Sequence, residues 1–343
     1  MEVKGYLLKM QRIEEILIDF LDNERNEEKD SHVLNFNYFE GLNFKDKKYR
    51  LKEILHLIVQ ISNNHHRSPD FYLKICTVIN YFKEDIKQSF SNYEIFTIFS
   101  RNKRILSFLF KERILTNASQ FVEHFKDESY QFYFAPEIAS IENRNQKLFE
   151  YNRNLGENES LICQIIRRDS VEEFHSYVSV NNISLFETKI QPSIFETNEF
   201  LIDKQPSLIE YAAFFGSIRI IHYLQSQKVK LTPSVWLYAI HANNQEMIHF
   251  LENNRVKPAD RSYEECYEES IRCHHNYIAN YIKNNLFKKN RKILAKIIPY
   301  FNYAFFQDDC NDYLHEFIEN DYVELVSILL KSTKIDINYK KIS

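Results

Sequence analysis

Glycine is unusually scarce in this sequence. Only four glycines occur among 343 residues, at Gly5, Gly41, Gly156 and Gly216, whereas proteins contain about 7% glycine on average. Loops that cradle phosphates need several glycines close together, so that backbone N–H groups can approach the anion. The wide separation of the four glycines therefore excludes a P-loop, a dinucleotide-binding fingerprint and a kinase-type glycine-rich loop. It also favours helices over hairpin-rich β folds, because few residues are free to adopt positive φ.

Paired cysteines and long apolar runs are also missing. The five cysteines are odd in number and include no C-x-x-C, which is typical of reduced thiols in a cytosolic protein. The first ten residues lack the apolar region of a signal peptide. The densest apolar run, Ile54–Ile61, is interrupted by His56 and Gln60 and is far too short to span a bilayer. We therefore expect a cytoplasmic protein with no membrane insertion.

The charge is balanced rather than dominated by one sign. The 44 basic and 48 acidic residues are interspersed and give a formal net charge of −4. Because no basic patch stands out, we expect no nucleic-acid binding. Hydrophobic residues make up 44% of the chain, which is enough to bury a core. The length suffices for two ordinary domains or one elongated array.

Helical periodicity is the main feature that the sequence does contain. Apolar residues recur at helical spacing over residues 3–21, 51–58 and 71–86. Ser68-Pro69-Asp70 predicts a turn followed by a helix start. Short helices joined by short polar links, without strand alternation, indicate an all-α protein of the solenoid type.

One passage recurs five times along the chain. Residues 207–224 align with residues 234–251 at an offset of 27, which places Gly216 on Asn243. A further offset of 31 reaches His274, and offsets of 47 reach Asp321 from His274 and Asp169 from Gly216. Each passage predicts a first helix, a tight turn at the named residue and a second helix. Because Gly, Asn and Asp tolerate the left-handed conformation that such a turn requires, we expect positive φ at Gly216.

The best-defined passage resembles an ankyrin repeat. Residues 207–216, SLIEYAAFFG, resemble the signature T-P-L-H-x-A-A-x-x-G. The second helix of the passage over residues 312–330 resembles an ankyrin repeat still more closely, and Ile335–Asn338 is similar to the loop that leads into a following repeat. The resemblance implies an elongated helical solenoid of degenerate ankyrin-type repeats, in which each hairpin is buried only against its neighbours.

The chain also resembles one particular family, the uncharacterised ankyrin-repeat proteins that carry a protist domain of unknown function and are expanded in trichomonads. The resemblance rests on residues 61–69, 193–198, 208–216 and 236–241, which together span most of residues 50–285. The family implies a fold but no established activity. It provides no functional residues that could be carried over to this chain.

The spacing departs from that of regular ankyrin repeats. Offsets of 27 and 31 are shorter than the usual length of about 33, which predicts trimmed finger loops. The two intervals of 47 contain inserts, for which we expect an extended loop over roughly 183–205 and an extra helix over roughly 285–311. We predict an N-terminal helical region over residues 1–155, in which Asn92–Leu109 fits the repeat template with Arg101 at its turn, and an ankyrin-type repeat domain over residues 156–343.

Candidate metal ligands and nucleophiles are few. Cys266, Cys273 and His274 cluster within one predicted repeat, and His65-His66 form a pair in a predicted loop. Neither group supplies four zinc ligands at normal spacing, and no cysteine lies in a recognisable nucleophile motif. We expect structural roles for these residues, no catalytic residues, no cofactor and no stoichiometric zinc.

Aromatic residues mark a candidate binding surface. In ankyrin hairpins the variable positions of the first helix face the concave groove, and here those positions hold Tyr211, Phe214, Tyr238 and His241. Aromatic side chains with a polar tip are favoured at interface hot spots. The alternative is that these rings pack on neighbouring repeats as core. The sequence leaves both interpretations open.

The sequence thus predicts a non-enzymatic protein–protein interaction scaffold with an unidentified protein partner. One alternative is a metal-dependent or thiol enzyme that uses the Cys266/Cys273/His274 cluster, and another is a structural module of a larger assembly. The last predicted helix, over residues 323–330, is apolar on more than one face. We therefore hypothesise self-association through the C-terminal repeat, or a partner that covers it.

Overall fold

The computed structural model describes residues 3–23, 39, 47–68, 70–122, 128–138, 146–287, 293–306 and 310–332. These residues are all-helical: no strand forms among them, and β pairing is limited to an isolated antiparallel bridge between Lys189 and Ser207. The all-α class predicted from the sequence is confirmed. None of the described helices combines the length and the apolar character that crossing a membrane requires.

The described α-helices are numbered in chain order. They are α1 (Val3–Asp22), α2 (Lys48–Asn64), α3 (Phe71–Tyr81), α4 (Lys83–Ser89), α5 (Asn92–Phe99), α6 (Lys103–Lys111), α7 (Ala118–Val122), α8 (Glu128–Tyr133), α9 (Ala135–Ile138), α10 (Gln146–Leu155), α11 (Leu161–Arg167), α12 (Val171–Val180), α13 (Leu208–Phe214), α14 (Ile218–Ser226), α15 (Val235–His241), α16 (Gln245–Asn253), α17 (Glu264–Arg272), α18 (Asn276–Asn285), α19 (Ile293–Ile297), α20 (Leu314–Glu319) and α21 (Val323–Ser332). The helix predicted in the second insert is α19. Short 3-10 helices occupy Ile298–Tyr300, Tyr303–Phe305 and Asn311–Tyr313.

The chain forms two compact units, and each is discontinuous in sequence. Unit one comprises Met1–Gln60, Arg67–Phe90 and Asn290–Ser343, and unit two comprises Ile61–His66 and Ser91–Lys289. This division differs from the predicted boundary after residue 155. The last predicted repeat groups with the first helices of the chain, because residues far apart in sequence meet in unit one.

Unit one is built around a buried carboxyl group, that of Glu53 on α2. The Tyr6 hydroxyl donates a hydrogen bond to Glu53. The Tyr303 hydroxyl donates to Glu53 Oε2 over 3.2 Å, and the backbone N–H of Glu324 donates to Oε1 over 2.9 Å. Arg50 Nε in turn donates to Glu324 Oε2 over 2.9 Å. Because buried polar groups need partners, this network connects α1, α2 and α21.

The apolar face of α21 is buried within unit one. Leu325 and Leu329 are 0% and 1% exposed, and α21 packs on α1. The first helix of the chain therefore packs on the helix that prompted the hypothesis of a second copy or a partner at this end. Leu330 on that helix is 42% exposed, and self-association stays a prediction. Residues 335–338, the predicted lead-in to another repeat, lie outside the described residues.

Unit two contains successive helical hairpins in which first helices α11, α13, α15 and α17 pack on one another in chain order. The predicted turn residues Asp169, Gly216, Asn243 and His274 have φ of 49°, 66°, 50° and 56°, and Asp321 in unit one has φ of 64°. The predicted turns and the positive φ of Gly216 are confirmed. Arg101 also lies in the turn between α5 and α6, as predicted.

Candidate functional site: a buried cluster around Cys273

The turn between α17 and α18 places three chemically active side chains in the interior of unit two. Helix α17 is capped at its C-terminal end by Cys273, whose N–H donates to the Glu269 carbonyl over 2.9 Å. The His275 N–H donates to the Ser270 carbonyl over 3.0 Å. His274 between them takes the left-handed conformation, which histidine adopts more readily than most residues. Cys273 is 0% exposed, and His274 and His275 are each 2% exposed.

Cys273 lies next to His241 of α15 and Glu269 of α17. Its Sγ is 3.4 Å from His241 Nδ1, and His241 Nε2 is 2.8 Å from Glu269 Oε1. Among the described residues, this is the group of three whose donor atoms come close enough together, within 4.8 Å, to suggest a metal site. The predicted Cys266/Cys273/His274 set is not brought together, because Cys266 and His274 lie outside this group. His241, which was predicted for the binding face, takes their place.

The hydrogen bonds and the burial assign the protons in this cluster. Burial lowers the pKa of His241, so its imidazole is neutral. Burial alone would raise the pKa of Glu269, but the hydrogen bond with His241 and the charges of Arg272 and Lys204 bring that pKa below its usual value. The ionised Glu269 carboxylate therefore accepts the Nε2 proton. His241 Nδ1 is then unprotonated and lies beside the Cys273 thiol.

The Cys273 thiol is held in its neutral form. Burial, with a further contribution from the charge of Glu269, raises the pKa of this thiol well above its ordinary value. Its Sγ is 3.4 Å from Nδ1 and 3.7 Å from Nε2 of His241, so the sulfur is nearly equidistant from both nitrogens rather than in line with one. Reactive cysteines are thiolates in partly exposed, electropositive surroundings. The geometry here is that of a structural thiol.

The same surroundings oppose a cation. Sulfur, nitrogen and oxygen donors suit zinc, but zinc binds a thiolate, and burial keeps Cys273 protonated. Arg272 Nη1 lies 3.8 Å from Glu269 Oε2, and the charge of Lys204 acts on the same carboxylate. The three side chains fit a hydrogen-bonded network better than a metal site.

Two histidines at the end of α2 extend the cluster. His65 Nδ1 donates to the Cys273 carbonyl over 2.8 Å, and the His66 N–H donates to His275 Nε2 over 3.2 Å. His275 Nδ1 donates to the Ile240 carbonyl over 2.8 Å. The histidine pair therefore attaches residues 61–66 to the turn that carries Cys273.

The residues predicted to bind a partner lie in the core of unit two. Their exposed fractions are at most 7%, for Tyr211, Phe214, Tyr238 and His241. Phe200, from the first insert, covers three of them, with ring centroids 6.2 Å from Phe214, 5.0 Å from Tyr238 and 4.4 Å from His241. A partner-binding role for these four residues remains a prediction, and it requires the insert to move away.

The predicted extended loop of the first insert also contributes side chains to the core of unit two. It contains no helix between α12 and α13, as expected, but Phe195, Phe200 and Leu201 are buried. Thr197 anchors the loop because its N–H and its hydroxyl both donate to the Gly156 carbonyl, over 3.2 and 2.7 Å. Sequence reasoning missed this role, although apolar residues in a stretch assigned as loop were a usable signal.

The second helices carry a repeated pair of side chains that sequence reasoning also missed. An exposed histidine on one helix lies edge-on to an aromatic ring on the next: His175 to Tyr223, His222 to Phe250 and His249 to Tyr281, with ring centroids 5.9, 5.1 and 5.4 Å apart. We call these six residues the histidine stripe. Four of its members, two in each segment, were visible in the aligned segments IIHYL and MIHFL of residues 220–224 and 247–251.

Comparison of the chain with family models, curated proteins and solved structures finds no match.

Proposed function

We propose that this protein is a non-enzymatic protein-binding scaffold built from ankyrin-type hairpins. The observation that carries the proposal is the histidine stripe, which repeats one pair, an exposed histidine and a half-buried aromatic ring, on successive second helices. Rings with a polar group are favoured at interfaces, because they combine a large apolar contact area with a hydrogen-bonding edge. A surface repeated from hairpin to hairpin suits an extended partner.

The ankyrin-type character is part of the same proposal. Helical hairpins whose turn residues are left-handed at the aligned positions support it, as does the ankyrin-like segment of residues 207–216. We extend the proposal to membership of the trichomonad-expanded ankyrin family and to a cytoplasmic location, which the unpaired cysteines favour.

The buried cluster supports binding rather than catalysis. The Cys273 thiol is neutral and buried, and His241 and Glu269 satisfy each other's hydrogen-bonding groups. A nucleophile needs a base in line and a reachable substrate. The cluster therefore favours a structural contribution to the scaffold.

The test is affinity capture from an extract of the source cells, followed by mass spectrometry. A triple variant, His175→Asp with His222→Asp and His249→Asp, removes the stripe histidines and adds negative charge. His315→Asp is the matched control, because its side chain is 75% exposed and lies outside the stripe. We expect one set of proteins to be retained by the wild type and the control and lost with the triple variant. Equal retention by all three would contradict the proposed surface.

Two further measurements address the alternatives. Elemental analysis distinguishes the proposed scaffold from a metal-dependent enzyme, and for the scaffold we expect well below one zinc per chain. Stoichiometric zinc that disappears in Cys273→Ser would favour that alternative instead. Light scattering at high concentration tests self-association through the C-terminal repeat, and a dimer would favour a module of a larger assembly.

A further inference from the structure

The hydrogen bonds of His275 determine which of its nitrogens carries a proton. Its Nδ1 is 2.8 Å from the Ile240 carbonyl, which can only accept, so Nδ1 is protonated. Its Nε2 is 3.2 Å from the backbone nitrogen of His66, whose N–H can only donate, so Nε2 is unprotonated. Both partners are main-chain groups that cannot rotate away. The folded arrangement therefore accommodates only the neutral imidazole.

We propose that His275 is an acid-sensitive latch, which holds residues 61–66 within unit two at neutral pH and releases them when it is protonated. Protonation places an N–H on Nε2, directly opposite the His66 N–H. The hydrogen bond is then lost, and two donors face each other at a ring that is only 2% exposed. A buried donor without an acceptor is costly, so the protonated state favours separation of the segment from the turn.

The surroundings of His275 provide little to balance a new positive charge. The titratable groups that act on His275 include His65 and His66 of the segment and His241 of α15. His241 in turn is acted on by Glu269 and Arg272 at the end of α17 and by Lys204 of the insert. The Glu269 carboxylate is already engaged by His241 and Arg272. The Glu199 carboxylate lies 3.3 Å from Arg272 Nη2, so it is engaged as well. Burial lowers the pKa of His275 well below its ordinary value, and the neighbouring histidines lower it further.

Three further hydrogen bonds of the segment are insensitive to this proton. Asn102 Nδ2 donates to Ser62 Oγ over 3.0 Å and to Asn63 Oδ1 over 2.7 Å. The Glu199 N–H donates to the Asn63 carbonyl over 3.3 Å. These bonds involve amide, hydroxyl and main-chain groups that do not titrate. We expect the pH dependence of the segment's attachment to come from its histidine contacts.

The test is hydrogen exchange of residues 61–66 in the full chain between pH 7.5 and 5.0, corrected for the intrinsic exchange rate at each pH. We expect the protection of the wild-type segment to fall by roughly tenfold for each pH unit below about 6.5. In His275→Gln, an amide oxygen can accept the His66 N–H but cannot titrate, so we expect a flat profile. His315→Gln is the matched control, because its side chain is 75% exposed and it belongs neither to the histidine stripe nor to the buried cluster, and it should retain the wild-type response.

A second measurement decides the proposal if His275→Gln does not fold. Nitrogen NMR of the wild-type side chains should show His275 as the Nδ1–H tautomer, and this ring should gain its second proton only as the protection of residues 61–66 is lost. Unchanged protection down to pH 5.0 overturns the latch. So does a His275 that titrates near pH 6.5 while the segment stays protected.

Discussion

Asp169 shows how a strained turn residue is retained. Its φ of 49° is left-handed, a conformation that is unfavourable by roughly 1–2 kcal/mol for most residues with a side chain. Its carboxylate accepts the backbone N–H groups of Arg219 and Ile220 over 3.0 and 2.9 Å. Those groups lie in the first turn of α14, where N–H groups lack helical partners. The bonds offset the strain and join one hairpin to the next.

Gly216→Val tests a turn in which the left-handed residue has no side chain that could offset backbone strain by hydrogen bonding. Gly216 has φ of +66°, and an added Cβ would lie 3.3 Å from the Ala242 Cβ. We expect a loss of about 1–3 kcal/mol in the free energy of unfolding, from backbone strain, measured by urea denaturation. The control is Gly5→Ala, an exposed position of α1 with open space around it, which should stabilise by about 0.5–1 kcal/mol. A wild-type midpoint for Gly216→Val would contradict the turn assignment.

Glu53→Gln tests the buried carboxyl of unit one. Burial raises the pKa of Glu53 from 4.5 to about 7. The folded protein therefore keeps a proton that the unfolded chain loses, so this group's contribution to stability falls as pH rises from about 4.5 to about 7 and then levels off. The change amounts to about 3 kcal/mol. We expect Glu53→Gln, which cannot titrate, to lose this slope in urea denaturation at a series of pH values.

The control for that experiment is Glu15→Gln, whose carboxylate on α1 is 47% exposed. It should keep the wild-type pH profile. If Glu53→Gln also keeps it, then Glu53 is ionised in the folded protein and another group produces the slope. The direction is opposite to that expected from His275, whose lowered pKa destabilises the fold at acid rather than at neutral pH.

At the scale of helices, the hairpins of unit two share their endings as well as their turns. The second helices α12, α14 and α16 each end at a left-handed residue, after which the next N–H bonds back across the last turn. The left-handed residues are Asn182, Lys228 and Arg255, and the bonds run from Ile183 to Val178, Val229 to Leu224 and Val256 to Leu251 over 2.9, 3.0 and 3.0 Å. This arrangement satisfies carbonyls that a helix end leaves unpaired. The hairpins therefore share the same backbone geometry at two places, the turn between their two helices and the end of the second helix.

Ser207→Ala tests the start of α13. The Ser207 hydroxyl accepts the Glu210 N–H, and the Glu210 carboxylate accepts the Ser207 N–H over 2.7 Å, which completes a capping box. We expect the substitution to reduce the free energy of unfolding by about 1 kcal/mol. Ser170→Ala is the matched control, because Ser170 precedes α12 without a side-chain capping bond, and it should change stability by less than about 0.5 kcal/mol. Equal losses in urea denaturation would contradict the specific role of the box.

The sequence was most informative where structure depends on neighbouring residues. The turn positions of Asn243 and His274 followed from offsets between similar segments, because the same residue types fit the same backbone angles. The burial of Tyr238 under Phe200 could not be predicted from the sequence. Whether an aromatic ring on a helix faces solvent depends on where a distant loop packs, and apolar spacing alone carries no information about that loop.

The same reasoning applies to the whole molecule. The predicted boundary after residue 155 relied on where the repeat pattern becomes clear in the sequence. The compact units instead depend on pairings such as Glu53 with Tyr303 and Tyr6, whose partners come from both ends of the chain. Local propensity does not specify such pairings. For Cys273, likewise, the thiol contacts the imidazole of His241, which is 32 residues away in sequence.

The dependence of unit one on both ends of the chain gives the last prediction. Leu325 and Leu329 are buried on α21, which packs on α1. If both are changed to Lys, the two ammonium groups must either be buried or force the helices apart. We therefore expect the free energy of unfolding of unit one to fall by more than about 3 kcal/mol. Hydrogen exchange should then accelerate throughout α1, although α1 lies at the opposite end of the sequence.

Leu330→Lys separates this packing effect from a general effect of adding charge to α21. Leu330 is on the same helix but is 42% exposed, so its side chain can extend into solvent, and α1 should exchange at the wild-type rate. If α1 stays protected in the double variant as well, then the first helix does not depend on the C-terminal hairpin. The predicted N-terminal region of residues 1–155 would in that case describe the folding unit better than the discontinuous unit one. Accelerated exchange in the double variant alone would establish that the chain's two ends stabilise each other.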